Sequence, residues 1–305
     1  MLEGADAAAA IRHGQRLKTT RAELARLARF EEISPAAGQL DQDALAGLLG
    51  DDPDAALALV AMMTSAMDRD LRELARSLAG RLMLEVARRG PARAGGVGRI
   101  ATVPWAAGGD LDIDASLDAL MTARSGQRAV AVDELRARRW VRSDTAVCLL
   151  VDRSGSMGGR PLAINAVAAA AVAWRNPDDF SIISFARQPI VVKAQGVHRS
   201  VEDVVDAVLA LRGHGTTDLA GALAAARSQL DRSHASRKIT VVLSDCRSTE
   251  PGEPVDAAAG LDDLAVIGPD GDHVEARRFA DRTGATFTTV SGPSDVPRAI
   301  ADVLA

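Results

Sequence analysis

The stretch Val147-Cys148-Leu149-Leu150-Val151-Asp152-Arg153-Ser154-Gly155-Ser156-Met157 runs apolar and then breaks into one carboxylate and two hydroxyls. A short Val- and Leu-rich run bounded by turn residues fits a strand buried on both faces of a parallel sheet. Such sheets place ligand sites at the carboxyl ends of their strands. The side chains of Asp152, Ser154 and Ser156 alternate along one loop, so they can converge on one cation while Gly155 lets the backbone turn between them. Oxygen donors select a hard metal.

From residue 144 onward apolar strands alternate with amphipathic helices, the pattern of a doubly wound α/β domain. The expected strands are 145–152, 180–185, 190–193, 239–245, 264–267 and 286–290, with helices near 161–175, 201–211, 218–231, 272–283 and 295–304. The connection from Phe185 to Ile190 is too short for a crossover helix, so that pair should be a hairpin ending in an antiparallel edge strand, the rest being parallel. Two more oxygen donors fall at matching positions: Thr217 in Gly213-His214-Gly215-Thr216-Thr217-Asp218, and Asp245 closing Ile239-Thr240-Val241-Val242-Leu243-Ser244-Asp245.

Asp152, Ser154, Ser156, Thr217 and Asp245 together resemble the metal-ion-dependent adhesion site of the von Willebrand factor A family, whose pattern is Asp-x-Ser-x-Ser, a later Thr and a later Asp. The likeness covers residues 144–305. It implies a six-stranded α/β sheet and a metal held by these five residues, usually Mg2+, with Mn2+ or Ca2+ as alternatives. Two carboxylates and three hydroxyls carry about −2 and do not by themselves complete the sphere of an octahedral divalent ion. The vacant position suits an Asp or Glu of a protein partner. The family often has Asp-Gly where this chain has Asp245-Cys246, which predicts a loop less free to adopt positive φ there.

Upstream, residues 1–90 read as a smaller, mostly helical domain. Thr20-Arg21-Ala22-Glu23 has capping-box spacing, and Leu71, Leu74, Leu78, Leu82 and Val86 recur at helical intervals. The stretch 90–98, with four glycines after a helix stop, predicts a hinge, and residues 91–143 a connecting segment holding Gly109-Asp110-Leu111-Asp112-Ile113-Asp114, a short helix through Leu117 and Leu120, and the arginine-rich piece Arg136–Arg142. The carboxy-terminal domain then takes 144–305.

A net charge of −5 and 3% aromatic residues, none of them tyrosine, offer neither the basic field nor the stacking surfaces of nucleic-acid binders. No apolar run reaches the roughly 20 residues that span a bilayer, and the start, Met1-Leu2-Glu3-Gly4, lacks a secretory signal's basic and apolar regions. The two cysteines suit a reducing cytoplasm. On adjacent strands Cys148 and Cys246 would be offset by roughly 16 Å, beyond disulfide reach.

Ser154 and Ser156 lie outside any Gly-x-Ser-x-Gly, and His198, His214, His234 and His273 show no triad order. No Gly-Lys pair allows a P-loop, and no Gly-x-Gly-x-x-Gly follows a strand. Asp110, Asp112 and Asp114 fail the EF-hand test, with Ala115 and Met121 where Gly and Glu belong. His214 is the one histidine in a loop expected near the metal.

The whole layout is similar to bacterial cytoplasmic von Willebrand A proteins of the CoxE-like and magnesium-chelatase D-subunit-like groups. This implies a non-enzymatic, metal-dependent binding adaptor working with a MoxR-type AAA+ ATPase in metal insertion, cofactor maturation or protein remodelling. The alternatives are a stand-alone binding module without an ATPase and, third, a metal-dependent hydrolase.

Overall fold

The computed structural model describes residues 1–91, 99–141, 145–153, 159–211 and 215–305. They form two compact units, one of Met1–Arg93 with Thr145–Ala305 and one of Ala94–Asp144.

The first unit opens with helices α1 (Gly4–Arg16), α2 (Arg21–Leu24), α3 (Phe30–Ile33), α4 (Gln42–Asp51), α5 (Pro53–Met63) and α6 (Arg69–Arg88). The capping box at Thr20 is present: Glu23 N–H donates to the Thr20 hydroxyl, and Thr20 N–H to the Glu23 carboxylate at 2.7 Å.

The second unit holds β1 (Arg99–Pro104), β2 (Asp110–Leu111), α7 (Ile113–Ser125) and β3 (Arg136–Val141). Its antiparallel sheet, in the order β1-β3-β2, falls where the sequence suggests a connecting segment with one helix. Residues 92–98 of the glycine-rich hinge expected at 90–98, and the Arg142 end of the basic piece, lie outside the described residues.

The first unit resumes with β4 (Thr145–Asp152), α8 (Arg160–Arg175), β5 (Phe180–Phe185), β6 (Ile190–Lys193), α9 (Val201–Ala210), α10 (Leu219–Leu230) and β7 (Arg237–Leu243). It closes with α11 (Pro254–Ala258), β8 (Asp263–Pro269), α12 (Val274–Thr283), β9 (Thr286–Val290) and α13 (Val296–Val303). Among the described residues its strands form one six-stranded sheet, ordered β6-β5-β4-β7-β8-β9. β6 alone runs antiparallel, so the mainly parallel α/β sheet with one antiparallel edge is the one the strand spacing predicts.

Successive residues of a strand point to opposite faces, and the cores divide accordingly. Val147, Leu149 and Val151 join a core with α5, α6, α8, α9 and α13. Ala146, Cys148 and Leu150 join a second core with α10 and α12.

α8 is buried on nearly every side, and its run Val167-Ala168-Ala169-Ala170-Ala171-Val172 is fully enclosed. Small side chains let the sheet approach one side and α5, α6 and α9 the other. The buried face of α6 departs from the expected leucine stripe: Leu71 and Val86 are buried, whereas Leu74 is 40% exposed. Ala75, Ala79 and Gly80 make the close contacts instead. A Cβ on Gly80 would meet Glu202 of α9 at 3.2 Å, so this helix packs through its small residues. At the sheet edge, Leu2 N–H donates to the Pro189 carbonyl at 2.8 Å and Val191 N–H to the Leu2 carbonyl at 2.9 Å. The amino-terminal residues thereby pair with β6, an edge that would otherwise expose unpaired backbone groups.

Candidate metal centre

β4 and β7 are adjacent and parallel, with Val151 opposite Leu243. That register brings Asp152 level with Ser244, and Asp245 lies one residue beyond, both at the carboxyl ends of the strands. Asp152 is 9% exposed, and its backbone is held from two sides. The Asn165 side-chain amide of α8 donates to the Asp152 carbonyl at 2.8 Å, and Arg153 N–H donates to the Phe185 carbonyl at 2.9 Å.

Ser244 organises the space between the strand ends. Its hydroxyl donates to Oδ2 of Asp152 at 2.5 Å and accepts Cys246 N–H at 2.9 Å. A charge-assisted bond of that length is among the stronger protein hydrogen bonds. Asp245 Oδ1 accepts Arg247 N–H at 2.9 Å, which fixes the following turn. Residue type and spacing do not single out Ser244; its one signal in the sequence is a hydroxyl between an apolar strand and a strand-final carboxylate.

Thr217 is buried and laced to the loop that follows Asp245. Its N–H donates to the Thr249 hydroxyl at 2.7 Å, and its carbonyl accepts N–H groups from Thr249 at 3.0 Å and Glu250 at 3.2 Å. On its other side Asp218 N–H reaches the Ala186 carbonyl at 2.8 Å, while the Asp218 carboxylate caps α10 through Gly221 N–H at 2.7 Å. Thr217 is thus pinned between the corner after β5 and the strap 248–250. Its hydroxyl has no hydrogen-bond partner among the described residues. Ser154, Ser156 and His214 lie outside the described residues.

Cys246 sits at φ +59°, the left-handed region glycine adopts freely, so a non-glycine residue takes the conformation that its side chain was expected to discourage. Its N–H bond to Ser244 holds the turn. Burial pushes the Cys246 thiol up, and the charges of Asp245 and Asp152 push it further. Cys148 is likewise buried, its thiol raised to about 12 by desolvation, and both cysteines are free. Cys148 is in register with Thr240, six residues before Cys246.

Arg153, between the Asp152 and Ser154 positions, is drawn below its ordinary value by desolvation, with the Asp152 charge opposing the shift. It lines a groove of about 570 Å³ shared with Leu2, Asp6, His13, Ile190 and Leu211.

The donor set fits a hard cation. Asp152 and Asp245 offer carboxylate oxygens and Thr217 a hydroxyl, donors of the kind that suit Mg2+, Mn2+ or Ca2+. The Ser244 bond orients one carboxylate in the manner of an outer-sphere partner.

Residues 147–248 match the family model of the von Willebrand factor type A domain. No curated protein sequence matches the chain. Solved structures similar to it include proximal thread matrix protein 1 from the mussel byssus, at 15% identity and TM-score 0.44 over 52% of this chain and 47% of that one. Another is a von Willebrand factor type A protein from Catenulispora acidiphila, at 19% identity and TM-score 0.44 over 54% of this chain and 43% of that one. A third is the manganese-loaded TRAP protein of Plasmodium vivax, at 16% identity and TM-score 0.41 over 53% and 73%. The chain spans less than half the length of the first two.

Proposed function

We propose that this chain is a non-enzymatic adaptor that captures an acidic side chain of another protein through a divalent cation. Asp152, Ser154, Ser156, Thr217 and Asp245 would hold the ion, Mg2+ in the first place. The observation that carries this reading is the pair of carboxylates at the end of β4 and just beyond the end of the adjacent β7, with the Ser244 hydroxyl bonded to one of them and a Thr217 hydroxyl without a hydrogen-bond partner among the described residues on a loop tied to the turn after Asp245. When bound, the cation supplies an electrophilic centre with a coordination position left for an outside carboxylate. The chain's own residues fix the carboxylates and, through Asn165 and the strap 248–250, keep the loop ends in place.

The match of residues 147–248 to a domain that typically mediates metal-dependent protein binding supports an interaction role. Among the described residues no helix is long and apolar enough to cross a membrane. The layout outside that domain supports the finer proposal of a cytoplasmic protein working with a MoxR-type AAA+ ATPase on a client. This chain has no phosphate-binding Gly-Lys motif, so ATP hydrolysis would come from the partner.

The test is affinity capture with the full chain, with Mg2+ and with EDTA, comparing wild type with Asp152→Ala, alongside Mg2+ titration of both proteins. Metal-dependent capture lost in the variant supports the adaptor. Capture that survives both EDTA and Asp152→Ala overturns it.

A further inference from the structure

Helix α7 of the smaller unit carries three of its four large apolar residues on the outside, Leu120 being half-buried. Its buried positions are Ser116 and Ala123, whereas Ile113, Leu117 and Met121 are 61%, 50% and 61% exposed. Four-residue spacing aligns these three along one stripe, and an aligned stripe differs from the scattered apolar residues found on most surfaces.

Polar contacts fix the helix in this orientation. Ser116 accepts Arg136 N–H at 2.9 Å under the helix. Asp112 caps it through Ala115 N–H at 3.1 Å, and also accepts the Thr102 hydroxyl at 2.8 Å and Arg138 Nε at 3.0 Å. Turning the stripe inward would break these bonds.

The charges around the stripe indicate what covers it. Asp110, Asp114 and Asp118 are exposed toward the amino-terminal end of α7, Asp114 paired with Arg138 at 3.3 Å, and Arg124 is exposed in its last turn. A partner surface of one sign would be mismatched at one end. A second copy of the same helix, laid antiparallel, is matched at both, and a two-fold contact must be self-complementary in this way.

We propose that α7 is a self-association surface, on which two copies of this chain pack α7 against α7 antiparallel about a two-fold axis near Leu117. Ile113 of one copy meets Met121 of the other, and each Arg124 faces the acidic end of the opposite helix. A helix of 13 residues is only about 20 Å long. Such a contact falls below the roughly 1,200 Å² of the smaller stable interfaces, so the dimer is weak and concentration-dependent. It involves none of the proposed metal ligands and should form equally in EDTA. A dimer would present two metal sites in one particle, raising avidity for any target with two binding sites.

The test is sedimentation velocity on the full chain in EDTA from about 1 to about 200 µM, a range that brackets micromolar association. Wild type should rise from monomer toward twice the monomer mass. Leu117→Arg should remain monomeric throughout, with unchanged circular dichroism, and Met121→Glu at the end of the stripe is the second variant should Leu117→Arg unfold. Arg124→Asp should weaken association about tenfold or more at low salt, since each dimer has two such contacts. A wild type that stays monomeric, a dimer that survives both apolar-to-charged changes, or an Arg124→Asp protein that associates like wild type overturns the proposal.

Discussion

Replacing Ser244 with alanine removes two hydrogen bonds and leaves the strands intact. The bond from the Ser244 hydroxyl to Asp152 is 2.5 Å long and ends on a carboxylate only 9% exposed; bonds to charged groups of this kind contribute about 2 kcal/mol. The same change leaves the buried Cys246 N–H without its 2.9 Å acceptor, in a residue already in the left-handed region, for about 1 kcal/mol more. The expected loss is therefore about 3 kcal/mol of unfolding free energy, measured by urea denaturation in EDTA. Mg2+ affinity should fall tenfold to a hundredfold by isothermal titration, the usual effect of removing a group that orients a metal ligand. A loss below about 0.5 kcal/mol together with unchanged Mg2+ binding would refute the idea that Ser244 organises this site.

Two further outcomes follow from the ionisable groups. Lys193 is buried with its ammonium over the Phe180 ring at 3.8 Å, and desolvation lowers its pKa from 10.5 to about 8. Between those values the unfolded chain binds more protons, so this residue's contribution rises with pH, by about 3 kcal/mol across the window. Unfolding of wild type and Lys193→Met compared at pH 7 and pH 10 checks it, and a difference that does not change with pH counts against it. Glu134 is held at about 2 by its paired bonds to Arg128 and by Ala131 N–H. Its contribution is complete above the unfolded value near 4.5 and is lost as pH falls toward 2. The stability gap between wild type and Glu134→Gln should close over that interval in acid titrations.

Four strands, β4, β5, β6 and β9, begin and end where the sequence places them, because unbroken runs such as Val147–Val151 and Phe180–Phe185 have no other use in a chain of this size. The short link to Ile190 gave the antiparallel edge by length alone. The three-stranded sheet was not legible for the opposite reason. β3 is half arginine, with Ala137 its buried small residue, and its pairing with Thr102 and Asp110 is non-local and leaves no alternating apolar trace. α11 spans five residues, too few for periodicity. At the site, residue type pointed to Asp152, Thr217 and Asp245, while Ser244 acts through a hydrogen bond that only the register of β4 against β7 creates. Cys246 shows the limit of reading conformation from residue type: the Ser244 hydroxyl and the apolar surroundings of the thiol hold a backbone angle that glycine would take unaided.

α8 links the two ends of the first unit. Its Asn165 side chain bonds to the Asp152 carbonyl, and its alanine-rich flanks touch the sheet, α5, α6, α9 and α13. A face built of alanines has no long side chains to absorb a displacement, because close-packed interiors transmit strain. Movement of α5 or α6 against α8 would therefore be felt at the carbonyl of the first proposed ligand, whereas α10 and α12, on the other face of the sheet, have no comparable bond to Asp152 among the described residues. Among the described residues, this bond ties α8 to the strand end that bears Asp152. A partner that gripped α5 or α6 would act on the site through one helix and one amide.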